Sequence, residues 1–255
     1  MNPTMISWAR NPDGTQGYTW NPATGCLANC HFCYARKLAN GRLRHRMLAN
    51  SMLPTHDEPN QEAHHRDPFY PRFWPERLHE PRHRKKPSGI FVCSMGELFG
   101  PWLPPEWTGM VLEQIRMSPQ HRFYVLTKQT QELKRWSPFP PNCLVGASVT
   151  NPDGFVAAVI GLAAVEAPVK FISFEPLLAR VASPADISGR LRFAGIRWVI
   201  LGAQTNPTVM PRIEWVEEII NACGKAQIPV YLTDSLRPIY PQLRREMPIR
   251  SVNDD

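Results

Sequence analysis

The feature that most constrains the fold is a repeated alternation of short apolar runs and segments with helical spacing. Runs such as FYVL, VKFISF and RWVIL are almost continuously apolar, which is typical of parallel strands buried on both faces. We predict strands at 17–20, 90–94, 122–127, 143–149, 169–174, 198–201 and 230–232. Helices are predicted at 32–49, 105–117, 129–136, 154–165 and 213–226. This order indicates a parallel sheet, either a barrel or an open doubly wound sheet.

The length and the cysteine usage limit the class of protein. A chain of 255 residues with 43% hydrophobic residues can bury a sizeable core, and we predict a single domain over 1–255. Its start, MNPTMISWARNPDG, has no basic region followed by an apolar run, and no window reaches about 18 uninterrupted apolar residues. We therefore expect a cytoplasmic protein with no membrane contact, whose six cysteines are ligands, catalytic groups or core residues rather than disulfides.

One segment, 51–88, interrupts the β-α rhythm. Its seven prolines exclude a long helix or strand, and loops of this length are usually functional or disordered. We predict an insertion that covers the mouth of a barrel after the first β-α unit. The overlapping stretch 36–86 carries twelve Lys or Arg against six Asp or Glu, and six of the eight histidines, including His56. Either a solvated basic face or a surface for polyanions fits this composition.

Three cysteines lie within eight positions, as Cys26, Cys30 and Cys33 in CLANCHFC. Disulfides consume cysteines in pairs and structural zinc takes four ligands, so this trio matches neither pattern well. Three thiolates can instead hold three irons of a four-iron cluster and leave the fourth iron open to a small molecule. A zinc site completed by a distant His or Cys, and a chance cluster, remain the alternatives.

This loop, with aromatic Phe32 before its last cysteine, resembles the signature loop of the radical S-adenosylmethionine (SAM) superfamily. The segments TWNPATGCLANCHFCYA, SMGELFG, FISFEPLL and WVILGAQ together are similar to a phage-associated branch of that superfamily, distantly similar to spore photoproduct lyase. The resemblance implies an α/β fold, a partial parallel (β/α) barrel of about six to seven strands. It also implies a [4Fe-4S] cluster on the three cysteines and SAM chelated by the open iron.

The resemblance assigns further residues to the cofactors. Met95-Gly96-Glu97 is similar to a Gly-Gly-Glu-like segment that holds the methionyl amino group of SAM, with Met95 replacing the first glycine. Ser148 follows the fourth strand of the barrel and is implied to contact the ribose or the carboxylate of SAM. A role for Glu97 as a helix-initiating acidic residue is the structural alternative.

Two residues are candidates for catalysis. Glu175 follows an apolar strand in FISFEPLL, where a capping or ion-pairing role is equally open. Cys93 is placed in a strand next to the cluster, and the resemblance implies a hydrogen donor to a substrate radical. Cys143, in another strand, and Cys223, in a helix, are expected to be buried apolar side chains.

The implied activity is reductive cleavage of SAM followed by hydrogen abstraction, with electrons from an external donor of the flavodoxin or ferredoxin type. It leaves lyase, isomerase and transferase chemistry open. The basic segment and the resemblance favour a DNA base as substrate, in repair or modification, with Tyr70, Phe73 or Trp74 filling or flanking the gap that the flipped base leaves in the stack. A small metabolite or peptide is the second alternative, and a metal-stabilised nucleic-acid-binding protein without catalysis is the third.

Overall fold

The fold is that of a computed structural model in which residues 1–54 and 61–248 are described. The chain divides into two compact units. Unit 1 contains 1–5 and 9–123, and unit 2 contains 6–8 and the chain from 124 onward. The prediction of one domain over 1–255 is not tested by this division and stays a prediction.

The strands confirm the predicted rhythm. Within the described ranges they are β1 (Asn2–Pro3), β2 (Tyr18–Trp20), β3 (Ala23–Thr24), β4 (Arg72–Phe73), β5 (Gly89–Val92), β6 (Arg122–Thr127), β7 (Cys143–Ser148), β8 (Val169–Phe174), β9 (Ile196–Leu201), β10 (Gln204–Thr205), β11 (Thr208–Val209) and β12 (Val230–Leu232). Each of the seven predicted strands is present, with bounds that differ by at most two residues.

The central sheet has eight strands in the order β1-β2-β5-β6-β7-β8-β9-β12, and it is mostly parallel. The expected six to seven strands become eight because the short N-terminal strand β1 pairs antiparallel with β2. The α/β class is therefore confirmed, and this strand order is consistent with the predicted partial barrel.

The helices are α1 (Tyr34–Asn40), α2 (Arg44–Leu48), α3 (Gln61–Arg66), α4 (Glu80–His83), α5 (Pro105–Arg116), α6 (Pro152–Ala163), α7 (Pro184–Phe193) and α8 (Ile213–Ala226), with 3-10 turns at Pro75–Arg77, Thr130–Trp136 and Asp234–Leu236. The single helix predicted at 32–49 is wrong, because two helices, α1 and α2, occupy this stretch. α1 ends at Asn40, and the N–H of its C-cap Gly41 donates to the Lys37 carbonyl. The segment predicted as a helix at 129–136 is a 3-10 turn. In the part of the chain that the structure describes, no helix is long and apolar enough to cross a membrane.

The segment 51–88 is not confirmed as an insertion. Residues 55–60, including His56 and Pro59, lie outside the described residues. In the described part, Tyr70, Phe73 and Trp74 are buried within unit 1. The prediction that these rings fill or flank the gap left by a flipped base is therefore wrong, because buried side chains are not accessible to DNA.

A buried arginine organises the same segment. Arg72 is 0% exposed, and its guanidinium donates to the carbonyls of Asn50, His65, Asp67 and Tyr70 at 2.8 to 3.1 Å. A buried charge is tolerated only when its donors are satisfied, and four carbonyls meet that need here. The segment is thus tied to the backbone that surrounds it.

The strand that carries Arg72 also supports the chain that precedes the three cysteines. Strand β4 pairs antiparallel with β3, so that Ala23 lies opposite Phe73 and Thr24 lies opposite Arg72. The Trp74 indole adds a hydrogen bond to the Thr24 hydroxyl, at 2.8 Å. The two strands therefore hold in place the chain that leads into residues 26–33, which contain the three cysteines.

In unit 2, strands β7, β8, β9 and β12 are parallel neighbours. Aromatic rings pack against one another there, with Trp8 in contact with Tyr124, Phe171 and Trp198. Gly146 is required beneath this cluster, because a Cβ atom would lie 2.3 Å from the Phe171 ring. Polar residues lie beyond this apolar packing, at the carboxyl ends of the strands.

Candidate cofactor site

The cluster loop, residues 26–33, connects β3 to α1 in unit 1. Its Cys26, Cys30 and Cys33 are free thiols and are half-buried. The Cys26 sulfur accepts a hydrogen bond from the Ala28 N–H at 3.4 Å, and the Cys33 sulfur caps α1 by accepting from the Arg36 N–H at 3.3 Å. Two of the three sulfurs thus already accept hydrogen bonds from backbone N–H groups.

The cluster loop is anchored to the segment 95–97 directly before its first cysteine. The Gly25 N–H donates to the Met95 carbonyl at 2.9 Å, and the Glu97 N–H donates to the Gly25 carbonyl at 3.1 Å. Gly25 and Gly96 form a parallel bridge. The approach requires Gly25, which has φ +88° and whose Cβ would lie 2.5 Å from the Tyr70 carbonyl oxygen.

The side chain of Asn21 fixes the same segment from the other end. Its Oδ1 accepts from the Met95 N–H at 2.9 Å and from the Ser94 hydroxyl at 3.2 Å. The Tyr34 hydroxyl, just beyond the last cysteine, donates to the Ser94 carbonyl. Residues before and after the cluster loop are therefore both tied to the turn that follows β5.

Glu97 is among the charged groups that influence Cys26. The pKa of the Cys26 thiol is raised to about 12, mainly by burial; the Ala28 N–H lowers it, and the nearby Glu97, Cys30 and Cys33 contribute to the rise. A neutral Cys26 thiol is thus favoured while only protein surrounds it. A positively charged metal centre reverses this preference, because it binds the thiolate.

Over the described ranges, no group of three or more His, Cys, Asp or Glu side chains is placed to hold a single metal ion. In a four-iron cluster each thiolate binds a different iron, so three sulfurs need not converge on one point. Three free thiols on one short loop supply the type and the number of protein ligands that such a cluster uses.

Three further candidates in unit 1 have defined surroundings. Phe32 is half-buried and its ring packs edge-on against His31. Glu97 is 8% exposed, and its Oε1 accepts from the Phe99 N–H at 3.1 Å. The helix-initiating alternative for Glu97 is wrong, because the next helix, α5, begins only at Pro105.

Cys93 lies directly after β5 rather than within a strand, because the strand ends at Val92 and Cys93 has φ +53°. Burial raises the pKa of its thiol to about 12. Its N–H donates to the Trp20 carbonyl at 2.8 Å. Cys143 and Cys223 are fully buried, at the start of β7 and in α8, as expected of apolar packing residues.

Two candidates belong to unit 2 and are described there by themselves. Ser148 is the last residue of β7, and its hydroxyl accepts from the Lys128 ammonium at 3.0 Å. Its neighbour in register on β8 is Ser173, whose buried hydroxyl finds no hydrogen-bond partner in the described part of the chain. The carboxyl ends of these strands thus present hydroxyl groups side by side.

Glu175 follows β8 in a buried polar arrangement. Its Oε2 accepts from the Trp8 indole N–H at 3.3 Å. Burial raises the pKa of the Glu175 carboxyl, and hydrogen bonds from Trp8 and Thr233 partly counter this effect. Gly202 makes room for it, since a Cβ there would lie 2.6 Å from both Glu175 Oε1 and Thr233 Oγ1.

Sequence reasoning missed Arg36 and Gly202. Arg36 has a detectable signal, since it lies three residues after the last cysteine, one helical turn away. Gly202, in WVILGAQ, has no such signal, because the Glu175 carboxyl approaches it only in the folded chain.

A family model matches residues 3–235 of the chain, and its description is "Protein of unknown function (DUF5131)". The chain belongs to this family. A comparison of the DUF5131 chain with curated proteins finds no match.

Solved structures of spore photoproduct lyase are similar in fold to this DUF5131 protein. The complex with dinucleoside spore photoproduct has a TM-score of 0.50 and 10% identity, and the match covers 84% of this chain and 75% of that chain. A mutant with the same dinucleoside has a TM-score of 0.51, 11% identity and the same coverage. A double mutant with bound AdoMet and the dinucleoside has a TM-score of 0.50, 11% identity and coverage of 85% and 75%. The expected distant similarity is confirmed for the fold, whereas the phage association stays a prediction.

Proposed function

We propose that this protein is a radical SAM enzyme that holds a [4Fe-4S] cluster on Cys26, Cys30 and Cys33. When bound, the cluster and SAM supply a one-electron cleavage of the sulfonium and so a radical that takes hydrogen from a substrate. The observation that carries the proposal is the pairing of Gly25 with segment 95–97. This pairing joins the cluster loop to the residues that the family resemblance assigns to SAM.

In this proposal the segment 95–97 binds the methionyl end of SAM. Gly96 presents backbone without a side chain, and Glu97 supplies a carboxylate near Cys26. One carboxylate oxygen accepts from the Phe99 N–H, which fixes the orientation of the group. A carboxylate held in this way pairs with the SAM ammonium by a charge-assisted hydrogen bond. Phe32 contributes an apolar ring beside the cofactors.

Other residues contribute by polarity or by protonation state. Ser148 offers a hydroxyl to the ribose or carboxylate of SAM. Cys93 is a proposed hydrogen donor, and its raised pKa keeps the thiol in the S–H form that carries a hydrogen atom. Glu175, whose raised pKa favours the neutral acid, is proposed to hold a proton near the substrate.

The proposed substrate is a nucleic acid, with electrons delivered by an external flavodoxin-like or ferredoxin-like donor. A fold neighbour holds AdoMet together with a dinucleoside photoproduct, which supports a similar pair of ligands here. The stretch 36–86 supplies positive charge, and Arg82 and Lys85 are exposed within it. Lys86 pairs with an aspartate and Arg84 stacks on a tyrosine, so Arg82 and Lys85 are the better candidates for phosphate contacts.

The first experiment tests the cluster and the cleavage of SAM. Anaerobically reconstituted protein is expected to hold about four irons per chain and to cleave SAM after reduction. Cys26→Ala, Cys30→Ala and Cys33→Ala are each expected to lose the intact cluster and the cleavage, whereas Cys223→Ala keeps both. Stoichiometric zinc without cleavage refutes the enzyme, and a fully active variant at any of the first three cysteines refutes the ligand set.

The second experiment tests the substrate class. Affinity for DNA, single-stranded or duplex, is measured across a series of salt concentrations. Arg82→Ala with Lys85→Ala is expected to flatten the log-log slope by about 0.7 to 0.9 per lost phosphate contact. The matched control, Arg116→Ala with Lys134→Ala, removes two other exposed charges and should leave the slope unchanged. Absent DNA binding at low salt, with SAM cleavage stimulated by a small molecule, favours a metabolite or peptide instead.

A further inference from the structure

Arg36 connects the two ends of the cluster loop. Its backbone N–H donates to the Cys33 sulfur at 3.3 Å, and its Nη2 donates to the Cys26 carbonyl at 3.0 Å. One residue thus contacts both the first and the last cysteine. These contacts hold the positively charged side chain against the loop, so Arg36 is not a flexible surface residue.

The guanidinium of Arg36 also contacts an aromatic ring and a carboxylate. It lies 4.9 Å from the centre of the Phe69 ring, and its side chain is 27% exposed. Asp67 is its charged neighbour, with Nη1 and Oδ2 separated by 3.9 Å. Over the residues that the structure describes, the Arg36 Nε is buried and has no hydrogen-bond partner. The ion pair with Asp67 is long, so it offsets the guanidinium charge only in part.

We propose that Arg36 tunes the reduction potential of the cluster held by this loop, an inference that rests on the proposed function. Reduction adds one electron, supplied by the external donor, and makes the cluster more negative. A fixed positive charge stabilises the reduced form more than the oxidised form and so raises the potential. Asp67 acts in the opposite direction, because its carboxylate reduces the field of the guanidinium.

Opposite signs at two neighbouring positions separate this role from a structural one. Arg36→Gln is expected to make reduction about tenfold less favourable, which is about 59 mV for one electron. Asp67→Asn is expected to shift the midpoint potential in the opposite, positive direction. The asparagine Oδ1 can still accept from the Phe69 N–H, as Asp67 does at 2.8 Å, so the turn is preserved. A loosened loop alone does not produce opposite shifts from these two changes.

Two further variants complete the set. Arg36→Lys keeps the charge and is expected to retain a potential close to that of the wild type. Arg42→Gln is the matched control, because it removes an exposed positive charge just beyond α1, where solvent screens its field. It should leave the potential unchanged.

The experiment is a redox titration of the full, anaerobically reconstituted chain, followed by electron paramagnetic resonance, with iron content measured for every variant. A wild-type chain without a four-iron cluster overturns the proposed function and this inference together. An intact cluster with the same potential in Arg36→Gln overturns the inference alone. If Arg36→Gln does not retain iron, Asp67→Asn decides: a positive shift supports the inference, and an unchanged or more negative potential overturns it.

Discussion

Replacing Gly96 with alanine tests the pairing between the cluster loop and segment 95–97. A Cβ at position 96 would lie 2.8 Å from the Gly25 oxygen, 2.9 Å from the Gly25 nitrogen and 2.9 Å from the Thr24 carbonyl carbon. All three atoms belong to the backbone, so no side chain can rotate away. The two segments must separate, which strains or breaks the hydrogen bonds from Gly25 to Met95 and from Glu97 to Gly25.

The expected cost follows from these contacts. Overpacking costs about 1 to 3 kcal/mol, and each lost hydrogen bond costs about 1 kcal/mol. Alanine restricts the unfolded chain and returns up to about 1 kcal/mol, so we expect Gly96→Ala to lower the free energy of unfolding by about 2 to 4 kcal/mol. The same variant should retain less iron after reconstitution, because the chain next to Cys26 is displaced.

The assay is urea denaturation of the protein without iron, followed by circular dichroism, together with iron analysis after reconstitution. Gly224→Ala is the matched control, because nothing lies within 4 Å of a Cβ at this exposed position in α8. Alanine has a higher helix propensity than glycine, so the free energy of unfolding of this control should rise by about 0.5 to 1 kcal/mol. A stability of Gly96→Ala within about 0.5 kcal/mol of the wild type contradicts the close approach of the two segments.

Three further changes probe individual side chains. Glu97→Gln should weaken SAM binding about tenfold or more with unchanged iron content, because a charge-assisted hydrogen bond is lost; isothermal titration calorimetry measures this, and equal affinity removes Glu97 from the SAM site. Arg72→Met should lower the free energy of unfolding by about 3 to 5 kcal/mol in urea denaturation, since four carbonyls lose their buried donor. Glu175→Gln should be stabilising near neutral pH and almost neutral near pH 4. Burial raises the folded-state pKa of Glu175, so the wild type loses stability as the pH rises above the unfolded value of about 4.5. A stability difference that does not change with pH contradicts the raised pKa.

The sequence could predict elements whose signal is local. The strands at 122–127, 169–174 and 230–232 agree with β6, β8 and β12 residue for residue, because continuous apolar runs reflect burial on both faces. The helix at 213–226 agrees with α8 because its apolar stripe has a clear helical period. α7 was missed, since its segment PADISGRLRF has only three buried side chains, Ile187, Ser188 and Leu191.

The wrong predictions for segment 51–88 have a different physical cause from the missed helix α7. Proline content at 51–88 suggested a covering loop, yet Arg72 ties this segment to neighbouring backbone and the rings of Tyr70, Phe73 and Trp74 are buried. Local composition cannot reveal four carbonyls that converge on one guanidinium, because they come from residues spread over Asn50 to Tyr70. Burial of an aromatic residue likewise depends on which other elements cover it.

The features of the candidate site likewise fall into those with a local sequence signal and those that depend on long-range contacts. The spacing of Cys26, Cys30 and Cys33 is a property of eight consecutive residues, so the sequence alone determined that three thiols share one loop and predicted their cofactor. Only the tertiary structure decided that Gly25 pairs with Gly96, that Arg36 contacts both ends of the loop and that Gly202 leaves room for Glu175. Most of these contacts join residues far apart in the chain. Their distances depend on how strands and loops pack, which no local pattern of residue types encodes.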